Sequence, residues 1–125
     1  MDGGFIKIDR GILDWEWYSD INTTRLFIHL ILKANWKDGR FEGIEVPRGS
    51  LVTSTNKLSK ETGLTVREVR TAIKHLEMTH EVTSKGHSKF TVITVKNYCL
   101  YQNNDMVSDK QATSKRQASD NNRRK

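Results

Sequence analysis

The strongest hydrophobic pattern lies between residues 22 and 35, where apolar side chains follow one another with few polar interruptions. Asn22 or Thr23 can cap a helix here, and the pattern predicts that this helix runs to about Asn35. Its apolar residues cover more than one face: Leu26, Phe27, Ile28, Leu30, Ile31, Leu32 and Ala34. A helix that is apolar nearly all round is buried. We therefore expect it either at the centre of the domain or against a second subunit.

Two further helices, separated by a tight turn, are predicted between residues 54 and 78. The first covers residues 55–62 and is stopped by Gly63, because glycine readily adopts the left-handed backbone that ends many helices. Thr65 and Glu68 have the spacing of a capping box, in which each side chain accepts a hydrogen bond from the other residue's backbone N–H. The second helix is therefore predicted to start immediately after Thr65.

Successive residues of this last helix lie about 100° apart around its axis, and this spacing separates two faces. An arc of roughly 120° holds the predicted core positions, which are Val66, Val69, Ala72, Ile73 and Leu76. The opposite face carries Arg67, Thr71, Lys74 and Met78, with Arg70 and His75 on its flanks. The exposed face is thus short, basic and hydroxylated.

A strand pattern follows the helices. Residues 82–84 and 90–95 are predicted to pair as a hairpin whose tip is residues 85–89. Gly86 is expected to allow the close turn. Residues 50–53 are the expected third strand of the same sheet. This order predicts an α+β fold, a winged helix-turn-helix with a three-helix core and a small antiparallel wing sheet.

Two aromatic and apolar segments lie upstream of this motif. Trp15 and Trp17 fall in a short run of large apolar residues that has no basic residues interleaved. Such a run is more typical of core or interface anchors than of base-stacking platforms. Together with Phe27 and Ile31 of the apolar helix, the two tryptophans are the predicted oligomerisation residues.

The length of 125 residues predicts one domain, residues 1–102, and an appended tail, residues 103–125. The tail is polar and basic, with too few apolar residues to offset the entropy of ordering, and is expected to be disordered. The net charge of +6 is unevenly distributed. Residues 48–96 hold nine basic and four acidic residues, whereas residues 1–47 hold six and eight. The positive charge therefore lies on the predicted helix-turn-helix, its wing and the tail. Such a concentration of basic residues is typical of a protein that binds a polyanion.

The residues predicted to contact duplex DNA lie on the second helix of the motif, at the hairpin tip and near the start of the first helix. They are Arg67, Arg70, Thr71, Lys74, His75, Lys85, Lys89, Lys57 and Thr55. Arginine can bond guanine through two hydrogen bonds, and the two hairpin lysines suit phosphate contacts. The alternative interpretation of the same residues is a solvated basic face.

Other classes of chemistry find little support in the sequence. Cys99 is the only cysteine, and the four histidines lack metal-ligand spacing, so neither a zinc site nor a disulfide is predicted. No phosphate-binding glycine loop or paired nucleophile and base is present, so we expect no cofactor and no enzymatic activity. No signal peptide or membrane span is visible, which favours a cytoplasmic protein.

Several ordered segments form a recognisable set: residues 4–18, 24–35, 48–54, 63–65, 69–74 and 91–98, with Leu58. Together they resemble the N-terminal winged-helix domain of phage and prophage replisome organisers, relatives of the DnaD-like primosome proteins. The resemblance covers about residues 4–102. It implies binding to origin DNA, self-association as a dimer or higher oligomer, and recruitment of a helicase loader or another replication protein.

The same resemblance leaves two alternatives open. In the DnaD-like proteins the winged helix also serves for oligomerisation, so the domain can be a protein-interaction module. A transcriptional regulator of the same fold is the other alternative, because a fold does not determine a function.

Overall fold

The computed structural model describes residues 4–101, which form an α+β domain. Its helices are α1 (Ile21–Lys33), α2 (Thr55–Thr62) and α3 (Val66–Met78). Its strands are β1 (Gly39–Phe41), β2 (Ile44–Val46), β3 (Ser50–Thr53), β4 (Val82–Gly86) and β5 (Thr91–Val95), and short 3-10 helices lie at Arg10–Asp14 and Tyr98–Leu100. The expected α+β class, with three helices and small antiparallel sheets, is confirmed. The predicted tail lies outside the described residues.

The start of α1 differs from the prediction. Asp20 is its N-terminal cap, and the Asp20 carboxylate accepts a hydrogen bond from the backbone N–H of Thr23 at 3.0 Å. The helix ends at Lys33 because the next residues turn away to meet β3, where the N–H of Asn35 donates to the carbonyl of Ser50 at 2.9 Å. Asp20 therefore caps α1 in place of the expected Asn22 or Thr23.

The turn between α2 and α3 follows the prediction closely. Gly63 ends α2 in the left-handed conformation, with φ of +82°. Thr65 caps α3 in a complete capping box, in which its hydroxyl accepts from the N–H of Glu68 and the Glu68 carboxylate accepts from the N–H of Thr65. These contacts fix where α3 begins and therefore which side chains it exposes.

The three-stranded sheet has the order β3-β5-β4, with both neighbours antiparallel to β5. Residues 50–53 are its third strand, as expected, and pair with β5. Gly86 lies inside β4, opposite Thr91, and not at the turn. The tip is instead closed by the N–H of His87, which donates to the carbonyl of Phe90 at 2.8 Å. The prediction that Gly86 forms the turn is therefore wrong.

A second hairpin, β1–β2, follows α1. Phe41 and Ile44 are paired across its turn. The Phe41 ring meets the Phe90 ring edge-on, with 5.2 Å between centroids, so this hairpin abuts the tip of β4–β5. The contact joins two hairpins that are almost fifty residues apart in the sequence.

Helix α1 is buried at the centre of a single chain. Phe27 and Ile31 are 3% and 1% exposed, within a core drawn from all three helices and the sheet. Side chains buried in this way cannot anchor a second subunit, so the prediction that Phe27 and Ile31 mediate oligomerisation is wrong. The choice between the two burial modes required the tertiary structure, because an apolar helix has the same sequence pattern in either case.

The segment before β3 is tied to the end of the domain through Gly49. Its φ is +87°, and a Cβ at this position would lie 2.8 Å from the Cβ of Tyr98. Its N–H donates to the carbonyl of Asn35, and its carbonyl accepts from the N–H of Val95, both at 2.8 Å. Glycine is thus required both by the backbone conformation and by the close approach of Tyr98.

Candidate nucleic-acid interface

The outward face of α3 is basic and unpaired. Arg67, Arg70, Thr71 and Lys74 are all exposed. No side-chain hydrogen bond or ion pair joins any of the four to another residue in the range 4–101. The hydrogen-bonding groups of these side chains are therefore available to a ligand. The structure brings these four predicted contact residues together on one surface.

Burial of the opposite face holds α3 in this orientation. Val69, Ala72 and Leu76 are each 1% exposed or less. The carboxylate of Glu77 accepts a hydrogen bond from the Ser84 hydroxyl at 2.6 Å, which ties α3 to β4. The exposed basic face therefore has a fixed position relative to the β4–β5 hairpin.

His75 does not belong to this face. Its ring stacks on the indole of Trp17 with 4.1 Å between centroids, and its Nδ1 lies 2.8 Å from the Thr23 hydroxyl and 3.4 Å from a carboxylate oxygen of Asp20. The prediction that His75 faces DNA is wrong, because these contacts direct the ring towards the start of α1. Its place on the flank of the helical wheel was the only sequence signal that it could turn either way.

The two tryptophans support the C-terminal end of α3. The indole N–H of Trp15 donates to Glu81 at 3.0 Å, and that of Trp17 donates to the Thr79 hydroxyl at 2.8 Å. Both side chains are half-buried and pack against the core. Trp15 and Trp17 therefore act as anchors within one chain, and these contacts leave them little surface for the predicted oligomerisation.

The β4–β5 hairpin carries the two predicted phosphate-contact lysines. Lys85 lies in β4 and Lys89 in the tip, and both are exposed with no ion pair among the described residues. The tip is stiffened by Phe90, whose ring stacks on that of His87 with 4.8 Å between centroids. The two lysines therefore lie on a hairpin whose tip is stabilised by stacked aromatic rings.

The start of α2 adds the last two predicted contacts. Ser54 caps the helix, and its hydroxyl accepts from the N–H of Lys57 at 3.1 Å. The Lys57 side chain is exposed, whereas Thr55 is half-buried. The start of a helix also exposes N–H groups and the positive end of its dipole, which favour anions. Lys57 is therefore well placed for a phosphate.

An ion pair holds α2 against α1. Glu61 accepts from Nε2 of His29 at 2.9 Å and lies 3.6 Å from the Lys33 ammonium. The hydrogen bond from His29 is the largest cause that lowers the pKa of Glu61, and burial acts in the opposite direction. The pair links α2 to α1, and the charge of Lys57, which makes no ion pair within residues 4–101, also helps to lower the pKa of Glu61.

A basic groove next to Lys57 was not anticipated from the sequence. It has a volume of about 430 Å³, and its lining includes Lys33, Arg40, Thr53 and Lys57. The charges come from segments up to 24 residues apart in the chain, so no local pattern indicated them. Only the folding of β1–β2 against β3 and α2 brings these residues together.

No protein-family model, curated protein or solved structure matches this chain. Its function must therefore be inferred from its own residues. Within residues 4–101, no helix has the length and apolarity needed to cross a membrane. In the same range, His, Cys, Asp and Glu form no group of three or more that could hold a metal.

Proposed function

We propose that residues 4–101 form a winged helix-turn-helix domain that binds duplex DNA, with α2 and α3 as the helix-turn-helix and β4–β5 as the wing. The order of elements supports this proposal: a helix and a strand, then two helices joined at Gly63, then a hairpin that pairs with the earlier strand. In such domains the second helix of the motif enters the major groove, whose width admits an α-helix.

The observation that carries the proposal is the unpaired basic face of α3. Arg67, Arg70 and Lys74 lie on one exposed arc with no acidic partner, and unpaired cations are available to phosphates and to guanine edges. Lys85 and Lys89 on the hairpin can contact the backbone beside the groove. Such phosphate contacts set affinity and register, while the arginines contribute base discrimination.

A salt titration of duplex binding tests this assignment. We expect the logarithm of affinity to fall steeply with the logarithm of salt concentration, because each phosphate contact releases condensed counterions. The double variant Arg67→Ala with Lys74→Ala should bind more weakly, with a slope shallower by about one contact from Lys74 and with less discrimination between sequences from the loss of Arg67. Fluorescence anisotropy with labelled duplexes measures these quantities.

The matched control is Lys7→Ala with Arg10→Ala, which removes the same charge from the exposed N-terminal segment. This control should leave the salt slope as it is. If the α3 double variant bound duplex DNA with the wild-type slope, the assignment of α3 to the major groove would be wrong. An equal loss of duplex affinity in both double variants would instead indicate a general effect of net charge.

We further propose that the DNA is a replication origin of the phage type and that the domain helps to assemble a primosome with a helicase loader. The support is the ordered set of segments that resembles replisome organisers. Footprinting on origin and promoter fragments distinguishes this role from transcriptional regulation. Protection confined to promoter fragments would favour the regulator.

A second candidate function, protein interaction, is favoured by a different surface from the one predicted. A cleft of about 220 Å³ is lined by Ile8, Trp15 and Tyr101, among others. Phe5, Leu13 and Leu100 are large apolar residues exposed in the two segments that supply Ile8 and Tyr101. These segments are joined by the N–H of Lys7, which donates to the carbonyl of Tyr101 at 2.7 Å.

A further inference from the structure

The groove beside the β1–β2 hairpin is assembled from four parts of the chain. Lys33 comes from the end of α1, Arg40 from β1, Thr53 from β3 and Lys57 from α2. Its volume of about 430 Å³ falls within the range of about 300–1,000 Å³ that is typical of ligand sites. The groove is therefore large enough for a phosphate group together with part of its sugar.

The charge of the groove is positive. None of the described residues that line it carries a carboxylate. Two glutamates lie at its margin: Glu61 is 3.6 Å from the ammonium of Lys33, and Glu45 is 3.8 Å from the guanidinium of Arg40. The pair with Glu45 is well exposed and weak, and Lys57 has no ion pair within residues 4–101. Three cations thus stand against two glutamates, so an anion entering the groove meets a net positive charge.

The floor of the groove contains a polar group that lacks a partner. Thr53 is 4% exposed, and its buried hydroxyl oxygen has no hydrogen-bond partner in the structure. Buried hydroxyls are nearly always hydrogen-bonded, because an unsatisfied one loses its bonds to water without replacement. Asn35, which also lines the groove, makes no side-chain hydrogen bond among the described residues. Two neutral hydrogen-bonding groups therefore accompany the cations.

We infer that this groove is a phosphate site and that it holds a backbone phosphate of the DNA bound by α3. This inference rests on the proposed function. Lys57 belongs both to the groove and to the start of α2, so the groove is continuous with the predicted DNA-contact residues. Phe41, another lining residue, contacts Phe90 at the tip of β4–β5, so the same hairpin connects the groove to the wing.

The first experiment asks whether the groove takes phosphate at all. Inorganic phosphate is titrated into the full chain at constant ionic strength, with chloride as the reference anion, and backbone amide shifts are followed by NMR. We expect saturable shifts at Asn35, Thr53 and Lys57. Arg40→Gln and Thr53→Val should each weaken the apparent affinity about two- to tenfold, the effect of one lost hydrogen bond.

The second experiment asks whether the phosphate belongs to DNA. In the duplex salt titration, Arg40→Gln should reduce the slope by about one contact and weaken binding to all sequences about equally. Arg10→Gln and Thr83→Val are matched controls, since Arg10 and Thr83 are exposed and lie outside the groove. The thermal midpoint of Thr53→Val should not fall, because the substitution removes a hydroxyl that has no partner.

The outcomes separate this inference from the proposed function. If the groove variants bind duplex normally while Arg67→Ala with Lys74→Ala does not, the groove inference is overturned and the α3 interface stands. If phosphate binding falls in the groove variants but duplex binding does not, the site holds a free phosphate-bearing ligand and the DNA assignment is overturned. If only the groove variants lose duplex binding, the groove contacts DNA without α3, and both the assignment to α3 and the inference of a duplex shared with α3 are overturned.

Discussion

His75 and Glu61 show how single side chains acquire roles from distant partners. His75 contacts Thr23, which is 52 positions away, and Glu61 contacts His29, which is 32 positions away. Both residues lie on the flanks of amphipathic helices, where a side chain can face solvent or a neighbouring element. Their roles in the fold are thus to connect α1 with α3 and α1 with α2, respectively.

Glu61 leads to a prediction about pH. Because the hydrogen bond from His29 holds its folded-state pKa below the ordinary value of 4.5, the ionised Glu61 carboxylate stabilises the fold above that value. The stabilisation is lost as the pH falls through the lower folded-state pKa. We expect Glu61→Gln to reduce the free energy of unfolding by about 0.5–1 kcal/mol at pH 7, with the difference from wild type shrinking below about pH 4.5.

Urea denaturation at a series of pH values measures this difference. Glu16→Gln is the matched control, since Glu16 is exposed and has no ion pair within the described residues. A Glu61→Gln deficit that stayed constant from pH 7 to pH 3 would show that the carboxylate charge is not its cause.

At the scale of elements, α3 and the β1–β2 hairpin differ in how well a local sequence pattern predicts them. The helix begins after the predicted cap, and Val69, Ala72 and Leu76 of its five predicted core residues are buried. The other two, Val66 and Ile73, are half-buried. The β1–β2 hairpin has a weaker local pattern, because its strands are three residues long and most of its side chains are exposed. Its position is set by contacts such as that between Phe41 and Phe90.

The capping box of α3 supports a prediction at this scale. Thr65→Ala removes the hydroxyl that accepts from the N–H of Glu68, so an N–H at the start of α3 loses its partner. We expect a loss of about 1 kcal/mol in the free energy of unfolding, measured by urea or thermal denaturation. Thr71→Ala, in the middle of the exposed face of the same helix, should change stability by less. Equal losses in the two variants would contradict the role of the cap.

At the scale of the whole domain, one group of exposed apolar residues lies in segments outside the basic elements α3 and β4–β5. The exposed basic residues proposed to contact DNA lie on α3, on the β4–β5 hairpin and in the groove. The exposed apolar residues Phe5 and Leu13 belong to the N-terminal segment, and Leu100 belongs to the end of the domain. Because Phe27 and Ile31 are buried inside one chain, these segments are the surface on which we expect self-association.

Self-association through the N-terminal segment can be measured by sedimentation equilibrium. We expect the average mass to rise above that of one chain as concentration increases through the micromolar range. The double variant Phe5→Ser with Leu13→Ser should remain monomeric, because it removes two exposed apolar side chains. Leu32→Ser, at an exposed apolar position of α1, is the control and should associate like wild type. If the wild-type chain remained monomeric at all concentrations, self-association through the N-terminal segment would be excluded.

Most of the fold was predictable from short windows of the sequence. The Gly63 turn, the Thr65 capping box and the core stripe of α3 involve residues no more than four apart or a strict helical period. Interactions of this range depend on backbone geometry alone, so residue types and spacing are sufficient to predict them. Four exposed residues of α3 were assigned to one surface for the same reason.

The tertiary structure decided the contacts of side chains on helix flanks and the contacts between different elements. It turned His75 towards Trp17, enclosed Phe27 and Ile31 within one chain, and assembled a basic groove from segments far apart in sequence. Such contacts depend on which elements pack together, and many packings share the same local pattern of apolar and polar residues. The sequence alone therefore determined where the helices begin and which side of α3 is basic. The packing determined which polar residues remain free to bind a partner.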